Sequence, residues 1–243
     1  MIKLPTIEGI IDRRILINYT LDPEVAAKLL PAPFRPQMYK GRAIVGICLI
    51  RLKNIRLKGL PAWTGIASEN AAHRFAVEWD EYGTTKQGVY IPRRDTSSRI
   101  NSWAGGRVFP GKHYHAEFDV NEQGGNYNIG FTSSDKTHLQ IKAKETEALS
   151  TISVFESLDC VSSFFQNGSL GYSPHNSRFD GIRLHTHSWE VCPLEVVDVN
   201  SSYFNHKNLF PEGSVQFDNA LLMKNIRHEW RNENYIFYSH NYQ

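Results

Sequence analysis

"KHYHAEFDVNEQGGNYNIGFTSSDKTHLQIKAK", Lys112 to Lys144, holds the fold in miniature. Three strand-like runs, 112–120, 126–133 and 138–144, are parted by a Gly-Gly and a Ser-Asp turn signal. Glycine adopts the positive φ that tight hairpin loops demand, so the stretch reads as an antiparallel meander. Outward from it the same texture continues. "RILINYT" at 14–20, "RAIVGICLIRLKNIRL" at 42–57, "HRFAVEW" at 73–79 and "QGVYIPRR" at 87–94 precede it. "GIRLHTHSWEV", "LEVVDVNSSYF" and "NALLMKNIRHEW" follow as short extended segments.

Three helices interrupt the strands. In "LDPEVAAKLLP" Asp22 is placed to cap, Pro23 suits the first turn and Pro31 ends the helix. "DTSSRINSWAGG" offers Asp95 as a cap, and "SVFESLDCVSSFFQNG" spaces Ser153 and Glu156 as a capping box with Asn167-Gly168 as the stop. No repeat, low-complexity tract or linker cuts the chain. The pattern predicts one α+β domain over residues 1–243, mainly antiparallel sheet closed or nearly closed into a barrel.

The composition, 41% hydrophobic and 21% charged, supports a buried core. The 27 basic and 25 acidic side chains are interspersed, with no basic run to track a phosphate backbone, so nucleic acid is not an expected partner. No apolar stretch could span a bilayer, and the N-terminal residues lack the pattern of a secretion signal. The cytoplasm is therefore the expected compartment, with no membrane partner. Cys48, Cys160 and Cys192 are odd in number and widely spaced, and they read as packing residues. There is no glycine-rich phosphate loop, and no cofactor is expected.

Side chains alternate across a strand, so parity sorts the opening stretch. Lys112, Tyr114, Ala116, Phe118 and Val120 share one face; His113, His115, Glu117 and Asp119 share the other. The first set is the more apolar and is predicted to face the core, which turns the histidines to solvent. In "SENAAHRFAVEW" parity puts Glu69, Ala71, His73, Phe75, Val77 and Trp79 on the apolar face, against Ser68, Asn70, Ala72, Arg74, Ala76 and Glu78. A carboxylate, an imidazole and an amine facing one apolar cavity can do acid-base work, because desolvation and mutual charge shift their pKa values. The alternative is that Glu69 pairs with Lys112 or an arginine at a barrel rim and does no chemistry. His-x-His pairs at 113–115 and 185–187 raise a metal site of the cupin kind, but that needs inward histidines, and parity turns the first pair outward.

"INYTLDPEVAAKLLPAPF", "SEN", "GVYIPRRDTSSRINSWAGGRVFPGKHYHAEF", "GSLGYS" and "HSWEV" together resemble the family called domain of unknown function 2071. That family is similar in fold to acetoacetate decarboxylase. The resemblance implies a cone-shaped β-barrel with a few flanking helices, an interior pocket and a homo-oligomer. The decarboxylases place a Schiff-base lysine and a second lysine in a Gly-Arg…Tyr-Pro-Lys-Lys segment. Aligned from Gly106-Arg107 without a gap, this chain has Tyr114 at the reactive position and His115 beside it. Lys112 lies earlier on the same face. Thr20 stands where the decarboxylases carry an arginine suited to a carboxylate, and Glu69, in "IASE", matches their pocket glutamate.

The resulting expectation is a barrel holding a small carbonyl or carboxylate compound, without acetoacetate decarboxylation itself. If the chain is an enzyme, it is a lyase or hydrolase. Glu69 or His73 is then the general acid/base, with Lys112 as amine nucleophile or Tyr114 as hydrogen-bond donor. His73, Thr20, His115 and Arg107 are candidate substrate-binding residues. The alternatives are a non-catalytic ligand-binding or sensing protein, and a metal-dependent barrel.

Overall fold

The computed structural model describes residues 6–98 and 110–237. Its strands are β1 (Ile7–Leu21), β2 (Arg35–Pro36), β3 (Met38–Tyr39), β4 (Arg42–Leu57), β5 (Ile66–Glu81), β6 (Thr84–Thr96), β7 (His113–Gln123), β8 (Asn126–Ser133), β9 (His138–Glu145), β10 (Leu170–His175), β11 (Arg178–Thr186), β12 (Cys192–Ser201) and β13 (Val215–Phe237). The helices are α1 (Pro23–Leu29) and α2 (Leu158–Asn167).

Local chemistry sets these boundaries. β7, β8 and β9 form the expected meander. The loop between β7 and β8 is the pair Gly124-Gly125, both at positive φ (56° and 79°), so the right-handed twist of the strands continues through the turn. Tyr82-Gly83 does the same between β5 and β6. In α1 the Asp22 carboxylate accepts from the Glu24 N–H at 3.1 Å, with proline in the first turn.

The strands join into one sheet whose hydrogen bonding closes twice. Strands β13, β1, β4, β5 and β6 are common to both closures. One circuit returns from β6 through β7, β8, β9 and β12 to β13. The other returns from β6 through β10 and β11 to β13. The shared strands therefore have both faces covered, and each face has its own core. Ile15, Ile17, Val45, Ile47, Leu49 and Phe75 pack with Ile129 and Ile141 of the first circuit. On the reverse face Leu16, Cys48, Ala72 and Leu221 pack under Val161 and Phe165 of α2.

Several sequence expectations need correction. The sheet is mainly antiparallel as expected, and two pairings depart from that: β6 runs parallel to both β7 and β10, because a long connection precedes each partner. The last third is not uniformly short, since β13 is a single strand of 23 residues that reaches both circuits. Asp95 lies within β6, its carboxylate held by Arg93. The helix expected beyond it falls outside the described residues from 99 onward. α2 is capped by Ser157, whose hydroxyl accepts from the Cys160 N–H at 3.2 Å. Ser153 is instead bonded to Asp218, and Glu156 is paired with Lys40.

Candidate functional site

On the reverse face of the shared strands, opposed residues form successive rows. Met223, Arg14, Ile50 and Asn70 make one; Leu221, Leu16, Cys48, Ala72, Arg94 and His113 the next; Asn219, Asn18, Gly46 and Arg74 the third. Above them, under α2 and the β10–β11 hairpin, lies a cavity of about 130 Å³. Its apolar wall includes Ile91, Phe164, Phe165, Ile182 and Leu184. Arg14, Arg74 and Arg94 also line it, one from each row.

Each arginine is held by a neutral group. Strand spacing is about 4.8 Å, so Arg74 must cross β4 to reach β1, and Gly46 leaves the room. A Cβ at Gly46 would stand 3.4 Å from Arg74 Nη2 and only 2.3 Å from the Ile17 carbonyl oxygen. Through that gap Arg74 donates to Asn18 Oδ1, and Asn18 donates in turn to Asn219 Oδ1 at 2.7 Å. The guanidinium lies 4.5 Å from the Phe165 ring, and its Nε, in a residue 4% exposed, has no hydrogen-bond partner among the described residues. Arg94 donates to the Pro110 carbonyl at 3.0 Å and to Ser173 Oγ at 3.4 Å. Arg14 donates to Cys48 Sγ at 3.1 Å.

Bulges set this arrangement. Arg74 opposes both Ile91 and Pro92, and proline has no N–H to lose from the ladder. Across the sheet the register skips Asp218, whose carboxylate accepts from Val154 N, Ser153 Oγ and Asn219 Nδ2.

Burial pushes the Arg74 and Arg94 guanidiniums down to about 10, and both stay charged at neutral pH. Asp95 also lines the cavity, but Arg93 holds its carboxylate at 2.7 Å and Ser133 donates to it. Among the described residues, no carboxylate forms an ion pair with Arg14, Arg74 or Arg94. A desolvated cation group of this kind is complementary to an anion that the described residues do not supply.

The candidates read from the sequence lie elsewhere. Glu69 is clasped by Arg13 Nη2 at 2.6 Å and Arg51 Nε at 2.5 Å, with Glu122 as a second acceptor for both arginines. His73 is 1% exposed, with Tyr203 at 4.3 Å between ring centroids. Its Nδ1 stands 3.6 Å from Asp95 Oδ2, beyond hydrogen-bond reach. Burial first, then the Arg93 charge, push its pKa down to about 3. Tyr114 lies under Arg93, 4.0 Å from ring centroid to guanidinium carbon. The Lys112 side chain is exposed, its Nζ 4.9 Å from the same ring. None of these lines the cavity, and neither do Thr20 and His115; Arg107 lies outside the described residues.

Parity separated the faces of β5 and β7 as drawn, but the β5 face opposite Glu69 and His73 borders the cavity, and so does His113 on the β7 face taken for solvent. Arg74 and His113 accordingly point into it. The available signal was Arg74 itself, a charge set among "AAH" and "FAV" where an outward strand face would carry more polar residues. His185 and His187 are exposed, and the described residues include no cluster of three or more His, Cys, Asp or Glu placed to hold a metal ion. Among the described residues, no helix is long and apolar enough to cross a membrane.

Comparison with known proteins agrees with this architecture. A family model for domain of unknown function 2071, described as an uncharacterized conserved protein, matches residues 11–226. No curated protein matches the chain. The fold is similar to acetoacetate decarboxylase from Legionella pneumophila (TM-score 0.63, 9% identity, 94% of this chain and 87% of that one). It is also similar to an acetoacetate decarboxylase-like enzyme from Sphingomonas wittichii (0.56, 11%, 97% and 93%). A third likeness is to the enduracididine biosynthesis enzyme MppR complexed with pyruvate (0.57, 10%, 98% and 92%). At these identities the likeness is one of fold.

Proposed function

The chain belongs to the family of domain of unknown function 2071, and from that footing we propose that its cavity binds a small organic anion, a carboxylate of about six non-hydrogen atoms. The observation that carries the reading is the set of Arg14, Arg74 and Arg94 around one apolar cavity, with no acidic side chain paired to them among the described residues. The volume supports the size, since a cavity of about 150 Å³ accepts a benzene ring. Pyruvate in MppR, a relative in fold, supports the ligand class. Lyase-like turnover of that anion is the accompanying proposal; binding without turnover is the alternative.

Isothermal calorimetry with pyruvate, acetoacetate and malonate tests binding. Arg74→Gln is expected to weaken it by about ten- to a hundredfold, the loss of one or two charge-assisted hydrogen bonds. The same substitution removes a buried cation that lacks a counter-ion, so the variant is expected to melt no lower than the parent. A purely structural Arg74 would give the opposite pair of results. Undiminished binding by Arg74→Gln would sink the reading.

The amine chemistry suggested by the family resemblance has a separate readout. Lys112 is exposed and does not line the cavity, so borohydride reduction with pyruvate present is expected to leave no ligand mass on it. A stoichiometric adduct at Lys112 by peptide mass spectrometry would restore the Schiff-base role.

A further inference from the structure

Cys48 occupies the middle of the cavity floor, on β4 in the central row. Arg14 lies on the adjoining β1 one row to one side, and Arg74 on the adjoining β5 one row to the other. Diagonal neighbours in a sheet stand about 7–8 Å apart, within reach of long side chains, so the arginine heads converge over the thiol. The thiol is 3% exposed and lines the cavity, and its sulfur accepts from Arg14 Nε. An arginine donating to sulfur fixes its orientation on the cavity floor. A second observation points to an anion at the same place: Arg74, a residue 4% exposed that lines the same cavity, has no carboxylate partner among the described residues.

We propose that Cys48 is a covalent nucleophile of this site, and that it captures small 2-oxo carboxylates whose carboxylate is seated on the arginines. This rests on the anion reading of the cavity given above. The Cys48 sulfur attacks the carbonyl carbon beside the bound carboxylate. A carbon–sulfur bond forms, the carbonyl π pair moves to its oxygen, and the thiol proton ends on that oxygen. The product is a thiohemiketal, formed reversibly and without any redox partner.

Peptide-resolved alkylation of the full chain tests this, with iodoacetate as the anionic probe and iodoacetamide as its neutral counterpart. In either case sulfur displaces iodide and the thiol proton goes to solvent. The exposed Cys160 is the internal reference. The ratio of iodoacetate to iodoacetamide rates at Cys48 is expected to exceed that at Cys160 by about tenfold or more, because a positive cleft concentrates anions. Excess pyruvate should slow Cys48 labelling and leave Cys160 unchanged. Pyruvate labelled with carbon-13 at its carbonyl should show a new thiohemiketal resonance that Cys48→Ser lacks.

An unlabelled Cys48, an unchanged ratio, or no new resonance, in protein that binds pyruvate by calorimetry, would overturn the nucleophile and leave the anion site standing. Protein that binds no carboxylate at all would remove both. Pyruvate protection is read on the unaltered chain, so a misfolded variant cannot blur the result.

Discussion

Between pH 7.5 and pH 5 the folded chain is expected to lose about 4 kcal/mol of stability, a large share of the 5–15 kcal/mol typical of domains. The cause is a pair of buried histidines. Burial, then the Arg93 charge, hold His73 near 3, and burial holds His228 near 4, against an ordinary value of 6.5. His73 faces Arg93, Asp95 and Asp135; His228 faces Arg14 and His187 and packs on Trp230. Once the pH falls below 6.5 the unfolded chain takes up protons at these residues and the folded chain does not. The unfolded state then binds more protons, and stability falls with pH. Each group contributes about 1.4 kcal/mol per pH unit in that window. Urea unfolding at stepped pH reads the slope directly. His73→Phe is expected to remove about half of it, and a midpoint constant from pH 7.5 to 5 would contradict the assignment.

Glu69→Ala is expected to lower stability by about 3 kcal/mol, equivalent to a Tm lower by roughly 10 °C for a chain of this size. The alanine leaves Arg13, 2% exposed, and Arg51 with Glu122 as their remaining close acceptor on β7. The value sits at the low end for breaking a buried pair because the Arg51 side chain is 26% exposed and partly rehydrates. Carboxylate binding is expected to persist, since Glu69 does not line the cavity. Glu69→Gln, which keeps the hydrogen-bond acceptor, should recover part of the stability. A Glu69→Ala variant as stable as the parent but unable to bind pyruvate would place the carboxylate in the site after all.

These expectations turn on how far each residue could be read from its neighbours in the chain. The meander at 112–144, the Gly-Gly and Tyr-Gly hairpins and the Asp22 cap were legible because each depends on a few adjacent residues: a positive φ, an alternation, a side chain reaching two residues on. The α2 boundary was not. Ser153 satisfies a capping pattern locally, but the bulge at Asp218 claims its hydroxyl.

Strand parity determined which residues share a face on β5 and β7, and that followed from the chain alone. Which face carries the cavity depended on closure. β10 and β11 pair with β6 and β13 across long sequence separations and roof the face that Arg74 and His113 share. Parity cannot tell solvent from a roofed cavity, because alternation records only that neighbouring side chains point opposite ways. Glu69 and Lys112 were conspicuous as inward polar residues. The tertiary structure supplied the partners that decide their surroundings: arginines from β1 and β4 for Glu69, solvent for Lys112, and for Arg74 a glycine gap and an asparagine one strand further on.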